Sequence, residues 1–84
     1  MISIVKDLAA EALFVSPLQP SQHPTRTAVE QAVTAMILLY GSEGCAACVA
    51  TEFGDHPETA VQRMHWVHEE LTGVVVPDEV AVPR

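Results

Sequence analysis

Val49-Ala50-Thr51-Glu52-Phe53-Gly54-Asp55-His56-Pro57-Glu58-Thr59-Ala60-Val61-Gln62-Arg63-Met64 reads as a helix, a glycine corner and a second helix. Val49, Ala50 and Phe53 fall at helical spacing, with Gly54 as the stop. Asp55 then reads as an N-cap, Glu58 three residues on completes a capping box, and Pro57 suits a first turn. Ala60, Val61, Met64, Val67 and Leu71 form the apolar stripe of this fourth helix, which Gly73 ends. Working outward, the third helix starts at Ser42 or Glu43 and also turns Ala46 inward. Gly41 separates it from a second helix with Thr27 as N-cap and Glu30 in the box position. Val29, Ala32, Val33, Met36, Ile37 and Tyr40 form the apolar stripe of that second helix.

At the N-terminus Val5, Leu8, Ala9, Ala12 and Leu13 predict a helix over Ile2–Leu13, a strand over Ile2–Val5 being the alternative. Pro17, Pro20 and Pro24 forbid regular helix behind it. The result is an extended arm that lays Phe14, Val15 and Leu18 on the core. Val74-Val75-Val76-Pro77 opens an extended tail, suited to covering a core edge or pairing with a partner. The expectation is a single all-α domain over residues 1–84, a small three- or four-helix unit. Residues 1–14 form its N-terminal helix, 15–25 the proline-containing arm, 26–73 the helical core and 74–84 the C-terminal tail.

Eighty-four residues bury only roughly 60% of their unfolded surface, so the core is thin and a partner or second copy adds stability. An apolar content of 49% argues for a folded chain. Four Lys and Arg against eleven Asp and Glu give a net charge of −7. That surface repels phosphate backbones and anionic lipid and favours a basic partner. No run reaches the roughly 18 apolar residues of a membrane span, and Asp7 and Glu11 interrupt the apolar N-terminus. The expected location is cytoplasmic, with no membrane partner. Two cysteines three positions apart offer no disulfide framework.

Residues 45–66 resemble a helix-turn-helix domain. Ala50 is the small residue of the first helix, Gly54 the corner, Val49 and Phe53 the buried partners, and Thr59-Ala60 is similar to a Thr-Val pair. The resemblance implies a DNA-contacting set of His56, Val61, Gln62 and Arg63, with Arg26 as a nearby cation and Glu58 and His65 on the same face. Two departures stand against it. Arg63 occupies a position where the pattern has an apolar residue, and residues 45–71 carry five acids against one base. Sequence-independent DNA affinity comes almost wholly from phosphate contacts, so this charge disfavours DNA. The stretch Gly44–Trp66, with its Glu-Phe-Gly-Asp-His-Pro-Glu centre, and Phe14–Ser21 (Phe-Val-Ser-Pro-Leu-Gln-Pro-Ser) also resemble small uncharacterised proteins of actinobacteria and their phages. That likeness implies a lineage and no activity.

Cys45 and Cys48 lie at i, i+3 on the third helix, and His65 and His68 do the same on the fourth. Two such pairs on packed helices would supply four tetrahedral zinc ligands, although the spacings depart from common finger patterns. The competing reading is a cysteine packed as a small apolar residue beside surface histidines. A dithiol redox centre needs a strand between its Cys-Ala-Ala-Cys helix and its proline strand, and Val49–Leu71 supplies two helices instead. Trp66 falls off the expected stripe, beside Gln62, Arg63 and Glu70, the composition of an interface hot spot; the alternative is a tryptophan covered by the arm or tail. Neither a Ser-His-Asp set nor a phosphate loop is evident. The sequence thus predicts a non-catalytic regulatory binding protein acting through protein contact, either with a basic partner or with its own copy as a homo-oligomer. A helix-turn-helix DNA-binding regulator is the second reading and a zinc-stabilised interaction module the third.

Overall fold

Ala9, Ala10, Ala12, Leu13 and Phe14 are all buried, so the first helix, α1 (Ile4–Val15), is apolar on nearly every side. Such a helix belongs in the interior, and α1 packs against both of the other helices. The structure, a computed structural model, describes residues 4–72, with side chains from residue 7 onward. Ile4 and Val5 are helical, which removes the strand alternative there; Ile2 and the tail 74–84 lie outside the described residues. The fold is all-α: after α1 come a 3₁₀ turn (Pro20–Gln22), α2 (Arg26–Asp55) and α3 (Pro57–Leu71). Val29 and Val49 of α2, with Ala60, Trp66, Val67 and Leu71 of α3, complete the core around α1. Full burial of each large aliphatic side chain, as at Leu13, Val29 and Val67, stabilises the fold by about 1.5–3 kcal/mol.

The predicted second and third helices are two limbs of α2, residues 26–40 and 42–55. Gly41 divides them with φ 72° and ψ 173°, a conformation essentially confined to glycine. By length and composition α2 passes for a membrane span, with a mean hydropathy of 1.5 in its most apolar window. The break alters that arithmetic, since each limb is only about 22 Å long against a hydrocarbon thickness of about 30 Å. α2 begins two residues earlier than expected. Thr25, not Thr27, is the N-cap, its Oγ1 accepting from the Ala28 N–H at 3.1 Å. Both threonines carry the capping chemistry; the earlier one brings Arg26 into the helix, 3.7 Å from Glu30 one turn on.

The corner between α2 and α3 also moves. Gly54 is helical, and Asp55 is the last residue of α2 rather than a cap. The chain turns at His56 alone, with φ −139° and ψ 66°. Its N–H donates to the Glu52 carbonyl at 2.7 Å, and its own carbonyl accepts from the Ala60 N–H at 2.9 Å, so one residue closes one helix and opens the next. The cause is Pro57, whose ring drives the preceding residue out of the helical region while fitting the first turn of α3. The expected stripes shift as well. Ala50 and Val61 are exposed and so is Tyr40, whereas Cys45 and Trp66 are buried.

Candidate functional site

The last carbonyls of a helix lack intrahelical partners and carry the negative end of its dipole. At the end of α1 these groups converge on Arg63. Its Nε donates to the Phe14 carbonyl at 2.7 Å, and its Nη2 to the carbonyls of Ser16 and Leu18, each at 2.9 Å. A longer contact of 3.4 Å reaches the Leu13 carbonyl. Ser16, itself buried, adds a bond from Oγ to the Leu13 carbonyl at 2.7 Å. The guanidinium lies over two rings, 5.0 Å from the Trp66 centroid and 5.7 Å from that of Phe14, and Phe14 in turn stacks on Phe53 at 5.9 Å. Partial burial pulls the Arg63 pKa down, yet an arginine remains charged throughout the physiological range.

This arrangement corrects the expected interface. Trp66 is only 9% exposed and belongs to the core. α3 faces α1 as well as α2, so its buried surface widens from Ala60, Val67 and Leu71 to include Trp66. Arg63 is half-buried, as is Glu70, and Gln62 is exposed. The set implied for DNA contact is dispersed: His56 is the hinge, Val61 and Gln62 face solvent, Arg63 is tied to α1, and Arg26 is paired with Glu30. His56 Nδ1 lies 3.4 Å from Glu52 Oε1, so the hinge side chain also has an acidic neighbour.

The metal set is separated too. Cys45 is fully buried and its thiol donates to the Met36 carbonyl at 3.7 Å. Burial pushes that thiol's pKa up, and nearby Cys48 and Glu11 push it further the same way. Cys48 lines a groove between α1, α2 and α3, whereas His65 and His68 are exposed and line a different depression, with Phe53 and Met64. Among the described residues no three His, Cys, Asp or Glu side chains gather to hold a metal ion. The helical register turns the two pairs toward different faces, so these residues do not form the expected four-ligand set.

A surface that the motifs did not flag stands out on the first limb of α2. Leu38 is 80% exposed and Leu39 66%, and Leu38 lines a shallow depression with Glu30, Gln31, Thr34 and Ala35. No charged residue occurs between Gln31 and Ser42. The signal was present in Met36-Ile37-Leu38-Leu39-Tyr40: five successive residues at 100° apart circle the whole helix, so some must face outward. Compared with family models, curated proteins and solved structures, the chain matches none.

Proposed function

We propose that the chain is a non-catalytic binding protein that acts by protein contact, and that the partner is a second copy of itself. The observation carrying this reading is the stretch of α2 from Gln31 to Ser42, free of charge, where Leu38 and Leu39 stand in solvent on a molecule of net charge −7. A basic partner would be selected by a cluster of acids, and this face has a single one, Glu30 at its edge, already paired with Arg26. An isologous contact needs only a self-complementary patch. Small residues at Thr34 and Ala35 let two helices approach closely, and leucines beside them supply the apolar area. Pairing centred on Leu38 leaves Glu30, itself paired with Arg26, at the rim of the contact, where water screens its repulsion.

Light scattering coupled to size exclusion tests the reading. The expected result is a dimer whose population grows with concentration, and a monomer of unchanged helicity for Leu38→Asp/Leu39→Asp. A monomeric wild-type chain up to millimolar concentration, or a dimer indifferent to both substitutions, overturns it.

A further inference from the structure

The Arg63 guanidinium has a nitrogen that no described residue uses. Nε bonds to the end of α1 and Nη2 chiefly to Ser16 and Leu18 just beyond it, while Nη1 makes no hydrogen bond to a described residue. Among the described residues no buried side-chain nitrogen or oxygen lacks a partner, so Nη1 is open to solvent. Arg63 also lines the groove between α1, α2 and α3, whose volume is about 450 Å³, within the roughly 300–1,000 Å³ of small-molecule sites. Phe14, Val15, Tyr40 and Ala60 supply an apolar wall, and the Thr59 hydroxyl a polar point. Among the described residues the charge has no ionic partner: Arg26 has Glu30, but no described acid lies within ion-pair distance of Arg63. The carbonyls around it offer partial charges only.

We infer that this groove binds a small amphiphilic monocarboxylate, its carboxylate on Arg63 Nη1 and its apolar body along Phe14 and Tyr40. A single negative charge is favoured over a phosphate dianion because Glu52 also lines the groove and repels added charge. A hydrogen bond to an ionised acceptor is roughly twice as strong as a neutral one, so an uncharged alcohol of equal length is the discriminating control. The site does not depend on the α2 self-contact.

Trp66 is the only tryptophan and lies under the same guanidinium, which makes its fluorescence a local reporter. Decanoate and decanol are titrated at low salt, with calorimetry as a second readout. Decanoate is expected to bind at least about tenfold more tightly than decanol, a difference of about 1.4 kcal/mol. Arg63 cannot be replaced without disturbing α1, so the test variant is Ala47→Phe. Ala47 is an exposed residue of the groove wall, and the larger ring fills the space with the melting temperature retained. Loss of decanoate binding in Ala47→Phe supports the site. Equal affinity for the acid and the alcohol, no binding of either, or unchanged binding in Ala47→Phe overturns it.

Discussion

On α3 an arginine is wrapped in carbonyls and aromatic rings; on the first limb of α2, two leucines stand in water. Arg63 and the pair Leu38-Leu39 have exchanged the places that hydropathy alone would give them. The difference lies in the backbone. The end of α1 and the residues just after it are packed against the fold, where unpaired carbonyls cost free energy, and a long cation with several donors serves three of them, those of Phe14, Ser16 and Leu18. The first limb of α2 turns Val29 into the core, and nothing within the described residues draws Leu38 and Leu39 inward.

The largest expected effect comes from emptying the arginine cap. Arg63→Met keeps the aliphatic stem on Phe14 and removes the donors to Phe14, Ser16 and Leu18. Charge-assisted bonds contribute about 1.5–3 kcal/mol, and orphaned acceptors add to the loss, so urea unfolding should show destabilisation of about 3 kcal/mol. Arg63→Lys should recover only part of it, because an ammonium lacks the planar fork. A loss below about 0.5 kcal/mol, the level of an ordinary surface substitution, would erase the contrast between the two regions. Gly41→Ala comes next, at about 1–3 kcal/mol for holding a side chain in a glycine-only region. Gly44→Ala tests the same corner from the other side, since its Cβ would lie 2.9 Å from the Tyr40 Cβ.

Much of the architecture was legible. Gly41 was readable as a break, and Pro57 as a first-turn residue. The all-α class followed from periodicity, and α1 from its alanines and leucines. What misled was local chemistry with two readings. Gly54 can stop a helix or sit within one, and the restriction that Pro57 places on His56 decided between them. Arg63 read as a defect in a helix-turn-helix pattern because its partners, the carbonyls of Phe14, Ser16 and Leu18, lie more than forty positions away. No periodicity carries that pairing. Trp66 followed Arg63 inward for the same reason.

A smaller effect is expected at the hinge. Pro57→Ala frees the residue whose ring holds His56 out of the helix, and a proline compatible with its site is worth about 0.4–1 kcal/mol. Melting should fall by that modest amount while the helix content stays constant. A longer continuous helix, seen as raised ellipticity, would mean that the packing of α3 on α1 and α2 does not hold the turn that Pro57 sets.

The smallest prediction concerns the base of the exposed corner, where the Cys45 thiol holds the Met36 carbonyl. Burial raises the folded-state pKa of Cys45 first, with Cys48 and Glu11 adding to it. In the unfolded chain the same thiol ionises near its ordinary value of about 8.5. Below that pH both states keep the proton and the shift has no effect. As pH rises through it, the unfolded chain releases its proton while the folded chain retains one, so unfolding becomes more favourable. Stability should therefore decline on the alkaline side until the raised folded pKa is passed, and Cys45→Ala should flatten that decline although its cavity lowers stability at neutral pH. Identical alkaline slopes for the two proteins would show that the thiol stays solvated, and that the corner carrying Leu38 and Leu39 is looser at its base than the Cys45–Met36 contact implies.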